Sequence, residues 1–275
     1  MATDDRRAGT EKVRYGFELS TPTGPARGMI ELDPEPAGLS ALVPVANQFT
    51  QLFGAQAEEH EKQQGREVSC RAGCGACCRQ LVVLSIPEVL WIAEVVASLE
   101  ADHKARVLDR FETITTDLDA RGLRAELMSP TVREEPPHIP VVIDYFRLQH
   151  ACPFLEDESC SIHAVRPVPC RDYNVTSPAE NCRDPYRHPI DKIPTPLALT
   201  ATLSVVAAEL SGEERCLIPL SLALDWAAAH ADLAARTWST EELLRGLLGC
   251  LGKQQEHAPI PAPGHAETKK RLPTV

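Results

Sequence analysis

The sequence predicts a mainly α-helical chain with small β-hairpins, an α+β protein whose irregular cysteine-rich metal-binding core is covered by helices. Three observations predict it. Apolar residues recur at three- and four-residue steps over much of the chain. Ten cysteines fall mostly into two clusters, and 23 prolines outnumber 15 glycines, so turns separate the helical stretches. Hydrophobic residues at 43% and charged residues at 24% are ordinary globular values, and 275 residues can bury a sizeable core. The net charge of −11 has the wrong sign for a protein that grips nucleic acid through phosphates, so no nucleic-acid partner is expected. Residues 196–210, the most apolar stretch, are broken by Thr200, Thr202, Ser204 and Glu209 and fall short of the roughly 20 residues a membrane span needs. No membrane partner is expected. The charged N-terminus, with Asp4, Asp5, Arg6 and Arg7 and no apolar run behind them, is not a secretory signal. The expected location is cytoplasmic, where clustered cysteines bind metal or do redox chemistry rather than form disulfides.

Each element has a local reason. Residues 12–20 and 26–32 flank a Thr-Pro-Thr-Gly-Pro turn and read as a hairpin. Leu42, Val45, Phe49, Leu52 and Phe53 mark one face of a helix over 39–63, stopped by Gly65. Hairpin and helix form an N-terminal unit, 1–66. A Ser85-x-x-Glu88 capping box with Pro87 opens a helix to about residue 99 whose buried side carries Val89, Ile92 and Val96. A second helix over 102–121 aligns Val107, Phe111, Ile114 and Leu118 and ends at Gly122. These make a helical insert, 85–122, inside a cysteine-cluster domain spanning 67–190. Residues 129–140 have the proline and charge content of a loop. From 191 to 254 the composition turns to Ala, Leu and Val, with helices expected near 196–210, 214–235 and 240–252, the last capped by Ser239 and Glu242. The tail, 255–275, has four prolines and a Lys269-Lys270-Arg271 run and reads as mobile. Trp91 and Trp226 fall at helical positions and read as core.

The first cysteine cluster, Cys70, Cys74, Cys77 and Cys78, has CxxxCxxCC spacing. Thiolates at that density repel one another, and a bound cation removes the repulsion by drawing their charge into metal–sulfur bonds. Gly73 and Gly75 permit tight turns, and Arg71 and Arg79 would balance residual negative charge. The second cluster carries Cys152, Cys160 and Cys170, with Cys182 following. Residues 156–159, with Asp157 and Glu158, can turn a hairpin that returns Cys160 to Cys152, and Pro167 and Pro169 fix the path to Cys170. The side chains of adjacent Cys77 and Cys78 are expected to diverge. These eight cysteines are the candidate metal ligands. Cys216 and Cys250 read as core, Cys250 lying among Leu243, Leu244, Leu247 and Leu251. His150 and His163 flank the second cluster, where an imidazole would suit zinc or iron, although satisfied or surface histidines are the plainer account. Arg166 and Arg171 could neutralise a thiolate-rich site or bind an acidic partner. No catalytic residue is assigned, and no phosphate loop, zincin pair or nucleophile elbow is present.

Taken together, Cys74-Gly75-Ala76-Cys77-Cys78-Arg79, Cys152-Pro153-Phe154-Leu155, Cys160-Ser161-Ile162-His163 and Arg166-Pro167-Val168-Pro169-Cys170-Arg171 resemble the YkgJ-type cysteine-cluster proteins, the CxxCxxCC zinc- or iron-chelating domain. The likeness covers about residues 68–185. It implies an iron-sulfur, iron or zinc site held by about eight cysteines, and flagellin lysine methylases look similar in this region, which implies a methylation-related role. Two departures stand out. Cys70 and Cys74 are separated by three residues where the family has two, and His163 stands where the family usually has Tyr.

Thiolates select zinc, iron-sulfur clusters or copper(I), so ligand type leaves the metal open. A CxxC pair is half a zinc knuckle, whereas the tight CxxxCxxC with glycine turns also suits a cubane cluster completed from the second motif. Three functions follow: an iron-sulfur protein with a redox or methyl-transfer-related role and a protein partner or substrate, a zinc-stabilised interaction module, and a radical S-adenosylmethionine enzyme. The last shares the CxxxCxxC spacing of Cys70, Cys74 and Cys77. It has Ala76 where that family commonly has an aromatic residue, and helices follow where a barrel would alternate strand and helix.

Overall fold

A computed structural model describes residues 12–21, 24–129 and 139–257. The expected N-terminal charge run, the tip of the first hairpin, most of the loop over 129–140 and all but the start of the expected tail lie outside the described residues.

Strands β1 (Val13–Thr21) and β2 (Gly24–Leu32) pair antiparallel with Val13 opposite Leu32. Their period-2 alternation turns Leu19 and Ile30 into the core, with Tyr15, Phe17 and Leu32 packed beside them. Helix α1 (Leu42–Gln63) buries Leu42, Val45, Phe49 and Phe53, the stripe its sequence predicts. Phe17 meets Phe49 edge to face at 4.7 Å between centroids, which fastens the hairpin to this helix. After the first cysteines come β3 (Val83–Ser85), α2 (Ile86–Ser98), α3 (Ala101–Ala120) and α4 (Leu123–Leu127). The expected buried faces of α2 and α3 are the observed ones. Helix α5 (Ile139–Arg147) then leads to the two-residue strands β4 (Leu155–Glu156) and β5 (Ser159–Cys160), and to α6 (Val168–Asp172). The C-terminal part is α7 (Leu199–Ser211), β6 (Leu217–Pro219), α8 (Ala223–Ala229), α9 (Ala231–Ala234) and α10 (Thr240–His257).

One apolar cluster runs through these elements, from Leu19 on β1 to Leu251 on α10. It takes in Cys216, with Cys250, Trp91 and Trp226 half-buried against it. The Trp226 indole stacks on His230 at 3.8 Å between centroids. Among the described residues no helix is long and apolar enough to cross a membrane.

Two expectations change. Residues 214–235 are not one helix: Leu217–Pro219 pairs antiparallel with Val83–Ser85, and Leu220 N–H donates to the Val82 carbonyl at 2.8 Å. Pro219 cannot donate to a helical ladder, so the chain runs extended through it before winding into α8. The proline-rich loop also ends earlier than expected, because α5 starts at Ile139. Pro140 sits in its first turn, where the missing N–H costs nothing, and Val141, Tyr145 and Phe146 are buried.

The capping box at the start of α2 does more than end a helix. Glu88 is wholly buried. Its Oε2 accepts from the Ser85 hydroxyl at 2.6 Å and the Ser85 N–H at 2.9 Å, and its Oε1 accepts from the Val168 N–H at 3.1 Å and the Thr200 hydroxyl at 3.4 Å. One carboxyl therefore joins the starts of α2, α6 and α7. Burial pushes its pKa up to about 7 against those four donors. Because the unfolded chain releases this proton near pH 4.5, the fold holds more protons between there and about pH 7, so this group's contribution to stability falls as pH rises through that window. Relative to Glu88→Gln, the native protein should lose roughly 3 kcal/mol between pH 4.5 and 8 in urea unfolding, and a constant difference would refute the linkage. Glu88→Ala, which strands four donors, should cost about 3 kcal/mol or more at pH 6.

Candidate metal centre

Four chain segments deliver the cysteines, and backbone hydrogen bonds fix where. Below α1 the chain docks on a segment beyond α6: the Ser69 N–H donates to the Val175 carbonyl at 2.9 Å and its hydroxyl to the Thr176 carbonyl at 3.2 Å. This sets the Cys70 sulfur 4.0 Å from the Tyr173 carbonyl. Gly73, at φ 80°, turns the chain through the left-handed region, and a 3-10 turn at Ala76–Arg79 presents Cys77 and Cys78. The second segment is spliced to the first where the Cys152 N–H donates to the Cys78 carbonyl at 2.7 Å. The expected hairpin follows, with Leu155 opposite Cys160, and Asp157 and Glu158 at φ 47° and 59° make the type I′ turn that a two-residue loop favours. Cys170 rides on α6. Cys182 sits in a 3-10 turn at Ala179–Arg183, whose Cys182 carbonyl accepts from the Gln80 side chain at 3.0 Å.

All ten cysteines are thiols with no disulfide among them. The eight candidates fall into two neighbourhoods. Cys182 is buried with Ala76 and Val175 in a small apolar cluster, separate from the main core, and Cys70, Cys74, Cys77, Tyr173 and Ile190 pack on it. Cys152 and Cys160 instead pack on the main core. Cys77 stands between the two. Its charge raises the pKa of Cys70 and Cys182 on one side and of Cys78, Cys152, Cys160 and Cys170 on the other. Cys74 acts likewise on Cys70 and Cys182.

Burial is the main cause that pushes up Cys70, Cys160 and Cys170, lifting Cys152 to about 12 and Cys182 to about 11. Cys77 goes the other way, to about 7, because the Cys78 thiol hydrogen-bonds to it, and that bond in turn raises Cys78. This corrects the expectation that the adjacent side chains of Cys77 and Cys78 diverge. Divergence holds for an extended strand, whereas the 3-10 turn here brings the two thiols into contact.

The charged residues are also redistributed. Arg71 is exposed. Arg79 is committed to Glu158, at 2.6 and 3.2 Å, and to the Gly75 carbonyl at 3.0 Å. Arginines reach the thiols from more than one side: Arg166 lowers Cys70, Cys77, Cys160 and Cys170, and Arg110 lowers Cys152. His163 is exposed and held down mainly by Arg166, with burial and Arg171 adding to it, and His150 bonds Asp117 at 2.8 Å. Neither imidazole has a thiol among these partners. Sequence reasoning passed over Tyr173, whose hydroxyl shares a hydrogen bond with Cys182, and the Arg79–Glu158 pair. The signal for both was their place inside the cysteine motifs.

Among the described residues no group of three or more His, Cys, Asp or Glu side chains stands arranged to hold an ion. The donor set still fits a soft metal: eight unbridged thiols from four segments within electrostatic reach of one another, which would bind by losing protons and turning inward.

Residues 69–186 match the family model described as CxxCxxCC, a putative zinc- or iron-chelating domain, and this match supports metal binding by the chain. No curated protein and no solved structure matches the chain significantly.

The two cysteine motifs interlock at Gly75. A Cβ there would lie 2.7 Å from Leu155 Cδ1, 2.9 Å from Glu158 Oε2 and 3.2 Å from Glu158 Cα. The side-chain tips can move, but the hairpin backbone cannot. Gly75→Ala should therefore cost about 1 to 3 kcal/mol in urea unfolding and lower metal content, and native-like values for both would disprove the interlock.

Proposed function

We propose that Cys70, Cys74, Cys77, Cys78, Cys152, Cys160, Cys170 and Cys182 hold an iron-sulfur cluster, giving the protein a redox or protein-methylation-related role towards a protein partner. The observation that carries this reading is the position of Cys77, which packs on the cluster of Cys182 while its charge also reaches Cys152, Cys160 and Cys170. A single ion takes four ligands at one point, whereas a polynuclear centre spreads its ligands over several ångströms and can draw on both sides. The charges of Arg166 and Arg110 supply positive potential of the kind that sets the potential of such a cluster.

A zinc-stabilised module has one observation in its favour. Cys70, Cys74, Cys77 and Cys182 gather at the small apolar cluster, the ligand number of one closed tetrahedral site, while Cys152 and Cys160 pack on the main core. A radical S-adenosylmethionine centre has less, since it must leave one iron open and Cys182 stands beside Cys70, Cys74 and Cys77 as a fourth thiol.

Purification without oxygen separates the readings. Brown protein with iron and acid-labile sulfide is the expected result; a colourless protein with stoichiometric zinc overturns it in favour of zinc. Cleavage of S-adenosylmethionine on reduction would reinstate the radical enzyme. Cys77→Ala should strip the metal and lower stability, while Cys250→Ser should leave metal content unchanged. Equal metal in both variants and the native protein refutes the ligand set.

A further inference from the structure

Strands β1 and β2 form a two-stranded sheet, so each keeps one edge with no strand beside it. The inner face of this hairpin is spent on the core, where Ile30 is buried and Phe17 meets Phe49. The outer face carries a charge pattern instead. On β1 it reads Arg14, Gly16, Glu18, and on β2 Arg27, Met29, Glu31. Because the strands are antiparallel, Arg14 lies opposite Glu31, Gly16 opposite Met29 and Glu18 opposite Arg27. Both charged pairs close, at 2.8 and 2.7 Å. Met29, with only a glycine across from it, is left 57% exposed, more open than Leu108 or Tyr186, the other large apolar side chains exposed among the described residues.

An edge with unpaired N–H and C=O groups is a template for another strand. The pattern of β2 is complementary to itself when reversed. A second β2 laid antiparallel beside the first, with Met29 facing Met29 across a twofold axis, sets Arg27 of each copy opposite Glu31 of the other. Across the four strands the signs then alternate, from Glu18 and Arg27 of one copy to Glu31 and Arg14 of the second. Other registers lose this. Moving the axis by one residue pairs Arg27 or Glu31 with Met29, and moving it by two sets Arg27 against Arg27 or Glu31 against Glu31. Parallel pairing also puts like charges opposite one another, which is destabilising. The stretch open to pairing stops at Leu32, because the Asp33 and Glu35 carbonyls accept from the Thr240 hydroxyl at 2.7 and 3.3 Å. The β1 edge carries the same charges around Gly16, so two β1 strands would gain no apolar contact at their centre.

We infer that the β2 edge is a self-association surface, on which a second copy of this chain adds its own β2 antiparallel about Met29 to build a four-stranded sheet. The contact is isologous and closes at two copies. One short edge buries less than a standard interface, so the dimer is weak and forms as concentration rises. No step of this depends on a bound metal.

Sedimentation equilibrium of the full-length protein tests it. The apparent mass should climb with concentration from 30.1 kDa towards twice that value. Met29→Lys, which faces only Gly16 within its own hairpin, should weaken association about tenfold or more by opposing two ammonium groups and removing the apolar contact. Met29→Glu should do the same. An equimolar mixture of the two variants should associate again, Lys against Glu, and that recovery also shows that both fold. Hydrogen exchange of the amides of residues 27–31 should slow as the native dimer forms. Native protein that stays monomeric at every concentration overturns the inference. So does a dimer that survives Met29→Lys, or a mixture of the two variants that stays monomeric. Association without slower exchange in β2 also overturns it, since the outer faces would then be stacking with the edge left free.

Discussion

Eight thiols gathered in one region can be tolerated only in one of two charge states, and the rest of the centre is arranged around that restriction. Kept protonated, they are small apolar groups that pack like any others; ionised together without a cation, they would repel one another in surroundings that already penalise charge. The surroundings of the thiols favour the first condition where no cation is bound. Burial raises Cys70, Cys152, Cys160, Cys170 and Cys182, and the single thiol driven the other way, Cys77, is the one that receives a hydrogen bond from its neighbour. A metal would exchange these protons for one shared charge.

The scaffold keeps the cysteine segments in place by contacts that do not involve sulfur. Ser69 with Val175, Cys78 with Cys152, Gln80 with Cys182 and Glu88 with Val168 are all bonds through main-chain atoms. Behind them, the helical insert and the C-terminal helices share one apolar cluster, so the irregular segment between α5 and α7 leans on a regular core.

The helices were legible because their information is local. The stripes Val107, Phe111, Ile114, Leu118 and Leu42, Val45, Phe49, Phe53 are periodic, and the two Ser-x-x-Glu boxes mark true starts: Ser85 with Glu88, and Ser239 with Glu242, whose carboxylate accepts from the Ser239 hydroxyl at 2.6 Å. The hairpin after Cys152 was legible for the same reason. What stayed hidden was decided at long range. Strand β3 exists only because Leu217–Pro219 lies beside it, across more than a hundred residues of chain, and a three-residue strand has no period to read. The contact of Cys77 with Cys78 depended on a 3-10 turn that adjacency alone does not announce. The second contacts of Glu88, to Val168 and Thr200, lie outside any capping motif.

The charge around the centre follows the same division. Spacing suggested Arg71 and Arg79 as counter-ions because they flank the first cysteines, yet flanking in sequence says little about facing in space. Arg79 is drawn off by Glu158, the residue that the I′ turn of the second motif brings against Gly75, so the packing that locks the two motifs together also pairs this cation. Arg166, which lowers four of the thiols, stands in a loop held by Trp91, Asn47 and Arg171. Those anchors come from α1, α2 and α6, elements whose own positions were fixed by ordinary apolar packing. The site is therefore set from the hydrophobic core outward: periodic apolar residues place helices, helices place polar anchors, and the anchors place the loop that leads into Cys170.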